Sequence, residues 1–159
     1  RRLNLNQDLT TKLRKNQISP YEIEKKLLTK YIPLAFDKNS RFEQGICFNP
    51  DGLLYKLFFK NKKRNPSLLG CNFSCWKNDI VSINGFDESY GETAISDDMD
   101  LDWRFRAFGL KLKSCKNVAN MLHLFHKAHD RGDATKQLAK MKEQENKGNY
   151  FCKTGLNTH

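Results

Sequence analysis

The apolar positions of this chain change their spacing several times, and the changes mark its elements. Leu3 and Leu5 alternate with polar neighbours, the two-residue period of a short strand over residues 2–6. Leu9 and Leu13 then recur four apart, which predicts a helix over 7–15. Ser19-Pro20-Tyr21-Glu22 is a helix start: Ser caps, Pro takes the first position, and Glu closes a capping box. That helix is expected to reach Tyr31 with Ile23, Leu27 and Leu28 inward, and to stop at Pro33. Residues 35–49 read as loop and short strand, and Asn49-Pro50-Asp51-Gly52 as a turn.

Over residues 53–64, Leu53, Leu54, Leu57, Phe58 and Phe59 are interleaved with Lys56, Lys60, Lys62, Lys63 and Arg64. This predicts an amphipathic helix, either an ordinary surface helix or one lying on an anionic membrane. A compact apolar stretch over 68–76, entered through Gly70, predicts a buried strand. A short helix follows at 77–83, and Asn84-Gly85 turns the chain into an acidic segment. A helix is expected over 98–108, ended by Gly109 as a C′ glycine. Strands follow at 110–114 and 118–125, then a charged helix at 133–146 with Leu138 and Met141 inward. The tail, 150–156, carries aromatic anchors expected to pack back on the body.

Length and composition narrow this picture. The 159 residues suit one domain, with a helical and loop region at 1–67, a motif-bearing core at 68–126 and a helix and tail at 127–159. No apolar run is long enough to span a bilayer, and no signal segment follows the N-terminal residues. The net charge of +10 favours a polyanionic partner: nucleic acid, an anionic membrane surface or a phosphate-bearing substrate. The five cysteines, Cys47, Cys71, Cys75, Cys115 and Cys152, are odd in number and show no Cys-x-x-Cys pair. They are expected to be reduced thiols, mostly buried, in a cytoplasmic protein.

Candidate chemistry lies in three places. Asp97, Asp98, Asp100 and Asp102 crowd the start of the 98–108 helix, where the helix dipole stabilises carboxylates. Helix capping explains such a cluster most cheaply. A carboxylate at the loop–helix junction, as Asp98 is, can instead point into a cleft and serve as a base, a ligand or a hydroxyl acceptor. Asp100 and Arg104 form an i, i+4 pair, worth a few tenths of a kcal/mol on an exposed helix. His123-Leu124-Phe125-His126 places two histidines three apart; in a strand they face opposite sides and share an ion only if the strand ends between them. Gly70-Cys71-Asn72-Phe73-Ser74 sets small and polar residues in the expected strand, suited either to tight packing or to lying under a sugar or nucleotide.

The order of these motifs carries more than any one of them. Gly70-x-Asn72-x-Ser74, then Asn84-Gly85-Phe86-Asp87-Glu88, then Asp97-Asp98-x-Asp100-Leu101-x-x-Arg104, then Gly109, then His123-Leu124-x-His126 resembles the C-terminal half of a family 2 glycosyltransferase. The similar region is the galactosyltransferase C-terminal segment of bacterial polysaccharide enzymes, shared with animal β-1,4-galactosyltransferases and polypeptide N-acetylgalactosaminyltransferases. It covers residues 69–126 and continues loosely into the tail.

The resemblance implies an α/β chain, the C-terminal part of a GT-A fold with a mixed sheet and flanking helices. It implies an inverting transfer of a sugar from a nucleotide-diphosphate sugar to a glycan or lipid-linked glycan acceptor, in bacterial surface polysaccharide synthesis. Asp98 inherits the role of catalytic base. Asp97, standing where the family has Glu, inherits an acceptor contact, and Gly70 and Asn72 floor the sugar site. Asp100 and Arg104 brace the site, while Asp102 is left as a solvated helix residue. His123 inherits a place in a divalent-metal site, usually Mn²⁺ and otherwise Mg²⁺, and His126 a metal or diphosphate contact. No Asp-x-Asp precedes the acidic helix, so the resemblance places the nucleotide-binding half outside these 159 residues and makes the chain alone inactive. Localisation is expected to be cytoplasmic, peripheral on the inner face of the plasma membrane if residues 53–64 dock there. The competing readings are a basic nucleic-acid-binding module, which the acidic cluster and the lack of a nucleic-acid motif oppose, and a non-catalytic interaction domain.

Overall fold

A computed structural model describes residues 2–60, 66–91, 97–127 and 132–157. The chain forms two compact units, residues 1–65 with 114–128, and 66–113 with 129–159. In class it is mixed, helices with a small two-stranded parallel sheet, α/β in character. Among the described residues no helix is long and apolar enough to cross a membrane.

In the first unit, strand β1 (Arg2–Asn4) pairs in parallel with β2 (Met121–His123), Leu3 opposite Leu122. The Leu5 N–H extends the pairing to the His123 carbonyl at 2.9 Å. Helix α1 (Gln7–Arg14) starts on the Asn6 side chain, which accepts the Leu9 N–H. Helix α2 (Pro20–Lys25) starts on Ser19, which accepts the Glu22 N–H at 3.0 Å, as the capping residues predict. It ends six residues early. The chain then continues in turns, and Pro33 lies inside a 3₁₀ turn (Ile32–Phe36), near the start, where a missing donor is tolerated. The core gathers Leu3, Leu5, Leu9, Ile23, Leu27, Tyr31 and Leu34. Leu28, expected inward, is 60% exposed because the helix ends before its turn reaches the core. A second 3₁₀ turn (Phe42–Gln44) occupies the expected loop, and helix α3 (Leu53–Phe58) follows the Asn49–Gly52 turn. Residues 61–65 of the basic stretch lie outside the described residues.

In the second unit, α4 (Lys77–Ser82), α5 (Asp97–Ala107) and α6 (Thr135–Lys147) surround two small cores. Ile83, Leu101 and Phe105 form one, and Tyr90, Trp103 and Met141 the other, with Tyr150 packed against both. Leu138 joins the second core, as its spacing predicts. Helix α5 is central, with Asp100, Leu101, Trp103, Arg104 and Phe105 all buried. Gly109, at φ +94°, ends it as expected.

Two expected strands do not form and a third is shortened. Over 68–76 the N–H groups that a ladder would use go elsewhere: Leu68 donates to Asp102, Gly70 donates to Asp98, and Asn72 closes a turn on the Leu69 carbonyl. Over 110–114 the Leu110 N–H returns to Phe105, closing α5. Of 118–125 only residues 121–123 pair, because Val118 and Ala119 both turn back to Cys115. The cysteines are free, but only Cys152 is buried; Cys71, Cys75 and Cys115 are exposed and Cys47 is half-buried.

Candidate active site

The four aspartates of α5 have four environments. Asp97, the first helical residue, is exposed. Asp98 is half-buried and accepts the Gly70 N–H at 2.8 Å. A Cβ added at Gly70 would lie 3.6 Å from the Asp98 carboxyl, ordinary contact distance, so the glycine here permits close approach without demanding it. One turn on, Asp102 accepts the Leu68 N–H at 2.7 Å and pairs with Arg106. Asp102 is therefore not a solvated residue. Asp98 and Asp102, four apart on one face, dock the 68–70 segment along α5 through two backbone donors. Asn72 is half-buried in the same segment.

Asp100 and Arg104 are the buried pair of the unit, 2.9 Å apart with side chains 4% and 1% exposed. An exposed-pair value of a few tenths of a kcal/mol does not apply here, because burial desolvates both charges and every remaining lone pair and proton then needs a partner. They have them. Asp100 also accepts from the Trp103 indole at 3.0 Å and the Tyr90 hydroxyl at 3.2 Å. Burial first, and then the Asp100 charge, push the Tyr90 phenol well up from its ordinary value, so it stays a donor. Arg104 donates to the carbonyls of Tyr150 at 2.8 Å, Gly85 at 2.9 Å and Ile83. A planar fork of fixed donors can hold three segments at once, which a lysine cannot.

Asn84 extends this network. It sits at φ +65°, a conformation Asn tolerates better than most residues, and is 1% exposed. Its amide donates to the Cys152 carbonyl at 2.8 Å and its side-chain oxygen accepts the Asn157 N–H at 2.9 Å. Its own carbonyl accepts the Leu156 N–H. The tail thus packs back as expected, through main chain, the buried Cys152 and the Tyr150 ring, while Phe151 is 50% exposed. Sequence reasoning missed Tyr90, Trp103 and the tail carbonyls as partners of this network. The readable signal was the Asn-Gly pair, which marks left-handed backbone but not what the Asn side chain reaches.

The two histidines belong to the first unit. Strand β2 ends at His123, which meets the condition for both rings to lie together: their centroids are 5.1 Å apart, edge to face. Burial, then the charges of Arg2 and His126, hold the His123 imidazolium below the usual range, which favours the neutral ring that binds metals. His126 is exposed, and its Nδ1 contacts the Lys127 carbonyl at 2.9 Å. A carbonyl only accepts, so Nδ1 carries the proton of this contact. Among the described residues no third His, Cys, Asp or Glu joins them. Two imidazoles without oxygen donors do not make a Mn²⁺ or Mg²⁺ site, which needs carboxylate, carbonyl or water ligands. The pair can contribute to a divalent-metal site but does not constitute one.

No family model, curated protein or solved structure matches the chain.

Proposed function

We propose that this chain is the acceptor-binding, base-bearing portion of an inverting, family 2-like glycosyltransferase with GT-A architecture. The observation that carries the reading is the meeting of Gly70 with Asp98, two candidate site residues 28 positions apart, joined by a 2.8 Å hydrogen bond at the start of α5. Asp98 takes the proton of an acceptor hydroxyl as that oxygen bonds to the anomeric carbon of a nucleotide-diphosphate sugar. The bond from that carbon to the diphosphate breaks, the nucleotide diphosphate leaves with the electron pair, and a single displacement inverts the anomeric centre. The Gly70 N–H holds one carboxylate oxygen and so fixes the carboxyl plane. Asp97, exposed beside it, contacts the acceptor, with Gly70 and Asn72 beneath the sugar. Asp100 and Arg104 touch no substrate; they hold α5 against the 83–85 turn and the tail, which keeps Asp98 in place.

Two measurements test this. Calorimetry of the chain with UDP-sugars and Mn²⁺ is expected to show no micromolar binding, because no Asp-x-Asp lies ahead of α5. Micromolar affinity or turnover would place the donor site within these residues. In a transfer-competent protein carrying this chain, Asp98→Asn is expected to lower kcat at least about a hundredfold. Its amide oxygen can still accept from Gly70, so stability should hold. Undiminished transfer by that variant would leave Asp98 as a tether and favour a non-catalytic interaction domain.

A further inference from the structure

Helix α3 has two faces of opposite fate. Phe59, at its C-terminal end, turns inward and stacks on Phe48 at 4.7 Å and on Tyr55 at 6.1 Å between ring centroids. This aromatic stack fixes the rotation of the helix. On the other side Leu53, Leu54, Leu57 and Phe58 are 71%, 59%, 67% and 67% exposed. Their spacing, two adjacent pairs four residues apart, places them in one stripe of roughly 140° around the helix. Such a stripe normally faces a core; here it faces out. Lys56 and Lys60 flank it, both exposed, and α3 contains no acidic residue. The sequence continues with Lys62, Lys63 and Arg64 in a chain of net charge +10.

We propose that this face of α3 docks on an anionic lipid surface, its four apolar side chains entering the interface and its lysines meeting the headgroups. The chemistry favours lipid over a protein partner: a contiguous apolar stripe bordered by one sign of charge matches an apolar layer beneath a negative plane. A six-residue helix buries too little apolar area to hold a membrane by itself, and a few lysines without insertion bind only loosely. The two together are the pairing of signals that stable peripheral binding requires. The proposal does not depend on the transferase reading.

The test is cosedimentation of the full chain with vesicles of phosphatidylcholine alone and of equimolar phosphatidylcholine and phosphatidylglycerol, at low and high salt. The chain is expected to bind the anionic vesicles, with salt weakening binding as screening shortens the reach of the lysines. Removing two lysine charges by Lys56→Gln with Lys60→Gln should weaken binding about twenty-fivefold, at about fivefold for each cation near the surface. Leu57→Ser with Phe58→Ser should weaken it at least about tenfold with net charge unchanged. Phe58→Trp, which keeps the bulk, should gain fluorescence quenching by brominated acyl chains beyond that of the unaltered chain. Equal binding to neutral vesicles, full binding by the Leu57/Phe58 variant, or no added quenching at position 58 would each overturn the proposal. So would self-association that the Leu57/Phe58 variant abolishes without vesicle binding, which would assign the face to a second copy of the chain.

Discussion

The two units solve the same problem with different materials. The first buries aliphatic and aromatic side chains from β1, α1 and the 23–34 segment, and among the described residues its core contains no ion pair. The second has two apolar cores too small to stand apart, joined through α5 by a buried Asp100–Arg104 pair whose partners come from residues 83, 85, 90, 103 and 150. An aliphatic core is non-directional, so it fails by degrees when a methyl group is lost. A buried polar hub is directional, so each partner's position is specified, and removing one member leaves the others desolvated and unpaired. The candidate site residues Gly70, Asp97 and Asp98 are on the unit with the directional hub, where placement to a fraction of an ångström matters most.

The comparison can be broken most sharply at Arg104. Arg104→Met should cost about 3–5 kcal/mol, because Asp100 and three carbonyls lose their donor together. Arg104→Lys should recover little, since one ammonium cannot reproduce the fork. Chemical denaturation with hydrogen exchange at residues 83–85 and 150 reads both; a loss below about 1 kcal/mol for Arg104→Met would mean the hub is not what holds the unit. In the first unit Ile23→Ala should cost about 3 kcal/mol but Ile23→Val only about 1 kcal/mol, the graded response of a fully buried aliphatic side chain. An all-or-none response there would erase the contrast.

Gly155→Ala probes the tail. A Cβ at that position would lie 2.0 Å from the Asn84 carbonyl oxygen, a backbone atom with little room to move. We expect a loss of about 2 kcal/mol and faster exchange at the amides of Leu156 and Asn157. Unchanged exchange would show that the tail docks without the Asn84 contacts. The smallest effect is expected at Glu22, a half-buried carboxylate on α2 paired with Lys30 and Lys26. The hydrogen bond to Lys30 lowers its pKa on folding. Its contribution is therefore present above the unfolded carboxylate range and disappears as pH falls through the lower folded value. Glu22→Gln should lower Tm slightly at neutral pH and leave it unchanged at acid pH, a difference measurable by paired thermal melts and erased by salt.

The sequence described the beginnings of elements better than their ends. Ser19 and Pro20 opened α2 where they should, because capping is local chemistry. Tyr31 did not end it, because the exit of a helix depends on what the next segment packs against. The stretch 68–76 shows the same limit more strongly. Its apolar run suits a strand, but a strand needs a partner ladder, and Asp98 and Asp102, some thirty residues on, took its N–H groups instead. Asp102 was undervalued for the same reason: nothing in the local pattern says that the 68–70 backbone lies along that face.

Local chemistry by itself determined the caps, the left-handed turn at Asn84-Gly85, the end of α5 at Gly109, the inward faces of α1 and α6, and the crowding of four carboxylates at one helix start. Each depends on residues within a few positions of one another. Only the tertiary structure divided those carboxylates into an exposed Asp97, a tethered Asp98, a buried and fully partnered Asp100, and a docking Asp102. That division is set by partners as far as 34 residues away, and the strength of a charge or a hydrogen bond depends on burial and partners that no spacing encodes.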